Sequence, residues 1–434
     1  MTATLIIAGI TAALMVLSVL LKPYIFVKKL RLGLYWIICA AGAIAMLAFN
    51  RLSVQKAWEG ITAATAVNPL KILALFISMT LLSVFLGDAG FFDVCADKVF
   101  RSAGGSQYKL FITLYAVVAV LTVFTSNDVI VLTFTPPICM FAVKAKVSPL
   151  PYLVGEFVAA NTWSMMLIVG NPTNVYLAGG AGINFAEYFA VMWLPALAGG
   201  VTSLLVMLAV FGKTLKKPLQ KPETEKVEAV GCRKIPLVVA LLHLIACIIM
   251  LALSYYIGVE MWIVCVALAA SLTLFNLAYG LIKEKSAKRV WQSLKKAPYE
   301  LVPFVLSMFI IVLALSECGF TSLAARYLIS GKKSDGISFA LLSALSSNAL
   351  NNIPAAVLFE KIISGASNAA VFGAIIGSNV GAYITPVGAL AGIMWTNILG
   401  EYRVKFNFIK FVSVGIAAAL PTLAASALAL FITL

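Results

Sequence analysis

Four short polar runs interrupt the long apolar stretches of this chain, and each holds residues able to bind a solute or an ion: Ser126-Asn127-Asp128, Asn171-Pro172-Thr173-Asn174, Ser347-Asn348 with Asn351-Asn352, and Ser378-Asn379 followed by Thr385-Pro386-Val387-Gly388. Side-chain oxygens of Asn, Ser and Thr coordinate cations, and the free N–H groups of half-helices receive anions or polar solutes. The organising stretch is Glu156 to Asn174, an apolar run dotted by Asn161, Thr162 and Ser164 and broken at Gly170-Asn171-Pro172-Thr173-Asn174. Backbone groups freed by Gly and Pro must face protein, water or solute at membrane depth, so the break lines a cavity. We expect Ser126, Asn127 and Asp128 to meet Asn171, Thr173 and Asn174 in one half of the chain. In the other, Ser347, Asn348, Asn351 and Asn352 should meet Ser378, Asn379 and Thr385. The plainer alternative is that these groups only cap helices and hydrogen-bond one another.

Among ionisable residues, Asp128 stands beside the first Asn, where protonation or cation binding can be coupled to solute movement; its plainer role is an N-cap. Asp88 and Glu317 occupy matching helix ends and read as capping or interface groups. Glu156 precedes the break and is either a second proton carrier or an interfacial residue. His243, the only histidine, lies in an apolar span with no HExxH around it and reads as a satisfied core side chain. The seven Cys are scattered singly without metal or redox spacing.

The elements that hold these residues are membrane helices. The 434 residues are 62% hydrophobic and 11% charged, with a mean hydropathy of +1.02, above the range of soluble domains. The net charge of +15 would suggest nucleic acid in a soluble chain. Here the basic residues lie in short loops between spans, so topology explains them and no nucleic-acid partner is expected. Residues 2–21 lack a basic leader and read as a retained first helix rather than a cleaved signal. Further spans fall near 32–49, 70–92, 186–212, 236–257, 260–282, 300–320 and 407–433. Two arms, Lys109–Phe124 and Val129–Val143, read as a re-entrant hairpin, although charge alone does not separate a hairpin from paired helices.

The pattern repeats. Ser78-Met79 and Asp88-Ala89-Gly90-Phe91 recur as Ser307-Met308 and Glu317-Cys318-Gly319-Phe320, Ser126-Asn127 as Ser347-Asn348, and the break at Pro172 at Thr385-Pro386. An odd number of spans per half inverts the second half. With the loop at 22–31 cytoplasmic, the cytoplasmic segments hold 25 of the 32 Lys and Arg. The expected fold is thus an all-α polytopic membrane protein of two inverted-topology repeats, each of about five transmembrane helices plus a re-entrant hairpin and a broken helix. The repeats are 1–212 (hairpin about 109–145, broken helix about 152–178) and 235–434 (hairpin about 337–363, broken helix about 369–395), with a cytoplasmic linker at 213–234. The protein is expected in the cell membrane with both termini outside.

The stretches FLGDAGFF (85–92), SNDVIVLTFTPP (126–137), SSNALNNIPAAVL (346–358) and IIGSNVGAYITPVGALAGIMW (375–395) resemble the arsenite permeases of the ArsB/NhaD branch of the ion transporter superfamily. The resemblance implies scaffold and transport domains, no cofactor, efflux of arsenite or antimonite against protons, and a site at Asn127-Asp128, Asn351-Asn352 and Thr385-Pro386. It leaves room for a homodimer and for an associated arsenite-transport ATPase. Two features depart from it. Arsenite permeases typically carry Asp where Asn161 and Asn379 align, and the GNPTN break is similar to the Gly-Thr-Pro-Pro-Asn of divalent-anion/sodium symporters. Sodium-coupled uptake of a small carboxylate-like anion is therefore the alternative, and sodium/proton antiport a third. The sequence offers an intramembrane enzyme neither a metal pair nor a nucleophile with a base. A channel differs from a carrier in its kinetics, since only a carrier saturates and concentrates solute.

Overall fold

The computed structural model describes all residues except 22–23, 28–29, 66, 220–232 and 405–406. The first half is α1 (Thr2–Leu21), an antiparallel ribbon β1 (Tyr24–Val27) and β2 (Leu30–Gly33), α2 (Leu34–Ala48), α3 (Val54–Thr62), α4 (Pro69–Asp88), α5 (Phe91–Ser102), α6 (Gln107–Phe124), α7 (Asn127–Lys144), α8 (Leu150–Trp163), a 3-10 turn (Ile168–Gly170), α9 (Pro172–Gly180) and α10 (Phe185–Leu215). The second is α11 (Lys234–Leu253), α12 (Met261–Lys283), α13 (Lys288–Lys295), α14 (Leu301–Glu317), α15 (Phe320–Leu328), α16 (Asp335–Leu350), α17 (Asn352–Ile362), α18 (Asn368–Gly381), α19 (Leu390–Glu401) and α20 (Phe408–Thr433). Each half thus holds ten of the described helices. The chain is an all-α polytopic membrane protein: eight of the described helices are long and apolar enough to cross a bilayer, nine if the bent pair α14–α15 counts as one. The ribbon is the only sheet among the described residues. α10 runs on through Lys213 to Leu215, and most of the linker expected at 213–234 lies outside the described residues.

Packing sorts the helices into two bundles by a crossed rule. In the first bundle α2 packs on α14 and α4 on α12, and α1 and α11 lean on α2 and α12. In the second, α7 packs on α19, α9 on α17 and α10 on α20. Apart from α1 on α2 and α11 on α12, each pairing named here joins a helix of one half to a helix of the other. Outer helices leave apolar side chains uncovered, such as Ile6, Leu14 and Ile10 on α1 and Leu242 and Ile249 on α11, which suits lipid rather than water. At the centre the case is reversed: every residue of α8 from Pro151 to Thr162 and of α18 from Ala369 to Gly381 is buried, as expected of helices apolar all round.

α18 reaches this depth through a ridge of glycines four residues apart. A Cβ on Gly373 would lie 2.1 Å from the Gly336 carbonyl oxygen, on Gly377 2.1 Å from that of Ala340, and on Gly381 2.5 Å from the Ala344 Cα. Gly336, Ala340 and Ala344 form the matching row on α16, so the two backbones touch.

Four short helices escaped the hydropathy reading: α3, α5, α13 and α15 are 9, 12, 8 and 9 residues long, too short to span. α5 and α15 connect the bundles, each entered through a left-handed glycine, Gly90 (φ 90°) and Gly319 (φ 83°). The turn at Gly319 bends α15 by 76° from α14. Nothing lies within 4 Å of a Cβ on Gly319, so Gly319→Ala is expected to cost only conformational strain, about 1–2 kcal/mol. A lower Tm of the purified variant checks this. α3 and α13 are tied down by the acidic pair singled out above: Asp88 accepts from Ser293 of α13 and from Lys296 directly after it, and Glu317 from Lys56 of α3. Both are interface contacts between halves.

Candidate functional site

Each polar run sits at a helix terminus, where backbone groups lack intrahelical partners. Ser126 is the N-cap of α7, and its Oγ accepts the Val129 N–H at 3.4 Å. Asn127 donates from Nδ2 to Asn161 Oδ1 on α8 at 3.1 Å, and Asn161 donates to the Phe157 carbonyl at 2.8 Å. Asp128, also buried, lies against the first turn of α19, near the Ala391 N–H. The first-half cluster is thus completed by a helix N-terminus from the second half.

The second cluster mirrors it. Asn351 is the N-cap of α17, donating to the Val387 carbonyl at 3.0 Å, and the Asn352 N–H donates to the Gly388 carbonyl at 2.9 Å. Asn348 donates to the Gly381 carbonyl at 2.8 Å, and its Oδ1 accepts from the N–H and hydroxyl of Thr385 at 3.0 and 2.7 Å. Asn171, N-cap of α9, donates to Asn379 Oδ1 at 3.0 Å; Asn379 donates to Asn174 Oδ1 at 2.7 Å; Ser378 donates to Thr173 at 3.2 Å. Ser164 also donates to Asn379, at 2.9 Å.

Two expectations need correction. Asn171, Thr173 and Asn174 do not bond to the tip at 126–128; they bond to Ser378 and Asn379 of the other half, because α9 packs against α17 and α18 rather than against α7. Nor are Ser347 and Asn348 the counterparts of Ser126 and Asn127. They lie in the last turn of α16, Ser347 bonding back to the Ser343 carbonyl at 2.8 Å, and the matching pair of N-cap and first helical residue is Asn351-Asn352. The second tip does meet the second break, through Asn348, Asn351 and Asn352.

The matched residues Asn127 and Asn352 share one further property. Each is buried, 1% and 2% exposed, and each has an amide oxygen with no hydrogen-bond partner among the described residues. Buried carbonyl oxygens are normally paired, and these two stand without a partner, each on the first residue of its helix. Backbone strain falls at the same place: Asn351 has φ 72° and ψ 151°, a region that residues other than glycine enter at a cost of about 1–3 kcal/mol. The hydrogen bonds of these site residues run to amides, hydroxyls and backbone groups, with no Lys or Arg among the described residues.

A small apolar crevice between the bundles is bounded by Ile72 and Phe76 on α4, Val305 on α14, Thr173 and Tyr176 on α9 and Ile353 on α17. A wider crevice beside it, also lined by Ile72, opens near Lys71, Glu260 and Trp262. Lys71 pairs with Glu260 at 2.6 Å, and that hydrogen bond holds the Glu260 carboxyl below its ordinary range. Glu156 is not interfacial but fully buried on α8. His243 is satisfied by the Val239 carbonyl at 2.8 Å and Ser271 at 3.1 Å.

Comparison with known proteins agrees with this architecture. The "Arsenical pump membrane protein" of Escherichia coli (strain K12) is 26% identical over 99% of this chain and all of its own length. Two solved structures share the fold: Neisseria gonorrhoeae MtrF (TM-score 0.52, 15% identity, 99% of this chain and 94% of that one) and the Alcanivorax borkumensis YdaH transporter (0.55, 13%, 99% and 97%). The model of the citrate transporter family, CitMHS, matches residues 25–374, an interval that contains both tips, the whole first break and the start of the ridge on α18. The chain belongs to the citrate transporter (CitMHS) family of membrane transporters.

Proposed function

We propose that this protein is a secondary carrier that expels arsenite or antimonite from the cell by alternating access. In this reading the halves lie inverted in the cell membrane with both termini outside. The second bundle carries the solute between the tips of α7 and α17, and moves against the first bundle on the joints at Gly90 and Gly319. The observation that carries the reading is the matched pair of orphan amide oxygens on Asn127 and Asn352. Arsenous acid is an uncharged trihydroxide near neutral pH. Its hydroxyls donate to amide oxygens and accept from helix N-terminal N–H groups, so a site without Lys or Arg suits it. The Escherichia coli relative named as an arsenical pump, matched along its whole length, supports the same choice.

A second reading is sodium-coupled uptake of a carboxylate anion such as citrate. The family match and the amides at 161 and 379 in place of carboxylates favour it. In that case the orphan oxygens receive sodium, whose charge compensates the anion.

Flux of arsenite into everted vesicles, with proton and sodium gradients imposed separately, tests the proposal. The expected result is saturable accumulation driven by one of the gradients. No flux above protein-free vesicles removes arsenite, and sodium-driven citrate uptake in right-side-out vesicles then tests the second reading.

The two aspartates separate site from scaffold. Asp128→Asn removes the ionisable group at the tip. In this reading that group takes part in coupling, so transport should fall about tenfold or more, the equivalent of about 1.4 kcal/mol. Asp88→Asn touches only the contact with α13, worth about 1 kcal/mol or less at a surface, and should leave flux near that of the unaltered protein. Equal effects in the vesicle assay would remove the reason for placing Asp128 at the site.

A further inference from the structure

Glu156 is 0% exposed, at the middle of a helix that is itself buried on all sides. Both carboxyl oxygens face one donor, the hydroxyl of Thr135 on α7, at 3.0 and 3.1 Å. One hydroxyl proton serves one oxygen at a time, which leaves most of the carboxyl's bonding capacity unmet.

Among the described residues of the helices packed against it, no cation compensates it. α8 packs on α6, α7, α10, α18 and α20. The charged residues of these helices, Lys109, Lys144, Glu187, Lys213 and Lys410, are exposed; α18 has none, and Asp128 lies two turns away on α7, at the tip. The other titratable group facing Glu156 is the Cys139 thiol, one turn beyond Thr135. An ionised carboxylate at this depth without a partner is costly, so the neutral, proton-bearing form belongs to the packing seen here.

The helix beside it has an opening. Pro136 and Pro137 lie inside α7 directly after Thr135. Having no N–H, they leave the carbonyls of Leu132 and Thr133 without their usual helical donors. Leu132 and Thr133 are half-buried, and the carbonyls that the prolines release lie within one turn of Thr135, whose hydroxyl bonds the carboxyl. Asn127–Asn161 and Thr135–Glu156 are successive rungs between the same two helices, separated by eight residues or about 12 Å of α7. A proton held at Glu156 therefore travels with the solute site without occupying it.

We infer that Glu156 is the proton-binding group of the second bundle, loading and releasing its proton through the proline-opened side of α7 as the bundle moves, with Thr135 as its positioning residue. This rests on the carrier reading above for the movement, but not for the proton site.

Two measurements on the full-length protein decide it. The first is infrared difference spectroscopy of the purified protein between about pH 5 and pH 9. A protonated-carboxyl carbonyl band is expected that the isosteric Glu156→Gln variant lacks; a band unchanged in Glu156→Gln overturns the assignment. The second is vesicle flux with arsenite as probe. One proton per solute allows about tenfold accumulation for each unit of pH gradient. Glu156→Gln should keep downhill arsenite movement and lose that accumulation, while Thr135→Ala keeps accumulation with a displaced pH profile. Undiminished proton-driven accumulation in Glu156→Gln overturns the inference. A normal band without arsenite flux in the unaltered protein sinks the arsenite reading and leaves the proton site standing.

Discussion

Replacing Asn127 or Asn352 by alanine is expected to abolish transport while the protein still inserts and purifies. Each change removes a buried amide oxygen that no described residue uses. Losing one or two interactions with a bound solute or ion, at about 1.5–3 kcal/mol each when charge is involved, lowers transport about ten- to hundredfold or more. The two variants should nevertheless differ in stability. Asn127 also donates to Asn161 at 3.1 Å, so Asn127→Ala strands a buried oxygen at about 1–3 kcal/mol. The Asn352 amide oxygen has no hydrogen-bond partner among the described residues, so its removal should leave the Tm nearly unchanged. Transport at the normal rate in either variant would exclude that residue from the site. Lost transport at unchanged Tm in Asn352→Ala would be hard to attribute to anything but binding.

The largest structural effect is expected at Gly377. Valine there would place Cβ 2.1 Å from the Ala340 carbonyl oxygen and 2.8 Å from the Ser343 Cβ. Neither neighbour is the movable end of a long side chain, so α16 and α18 must separate. Overpacking of this kind costs about 1–3 kcal/mol in soluble cores and more where backbones are in contact. Here separation also uncouples Ser378 and Asn379 from Thr173 and Asn174. Gly377→Val should yield aggregated protein on size-exclusion chromatography. Gly9→Ala, where nothing lies within 4 Å, should elute as the unaltered protein does and gain up to about 1 kcal/mol. Monodisperse Gly377→Val would show that the ridge does not set the distance between these helices.

Much of this was legible in the residues. Apolar length locates α1, α10, α11, α12 and α20 within a few positions, because in lipid a span is set by thickness. The breaks at 171 and near 385 announce themselves through Pro and Gly. What could not be read is which half each break would face. A helix's own residues fix its apolar surface but not the identity of its neighbour, so Asn171 found Asn379 where Asn127 was expected. The register error at Ser347 has a similar cause: SSNALNN carries two Ser/Asn pairs, and only the N-cap geometry of Asn351 decides between them. α3, α5, α13 and α15 are too short to raise a hydropathy window. The ridge lay in plain view in GAIIGSNVG, where Gly373, Gly377 and Gly381 recur every fourth residue, a spacing that signals close helix contact. Sequence leaves Glu156 between proton carrier and interfacial residue, since a carboxylate near a span's beginning ordinarily marks the membrane surface, and only tertiary packing shows it buried.

The exchange of partners between halves also constrains how the protein is made. Asn171 and Asn379 bond across 208 residues of chain. A ribosome adding about 5–20 residues per second delivers the second amide roughly 10–40 s after the first. Throughout that interval Asn171 lacks the Asn379 acceptor and Thr173 lacks the Ser378 hydroxyl. The nascent first half must therefore be held by lipid-facing helices such as α1 or by an insertase. A chain halted before α18 should be a substrate for membrane proteases.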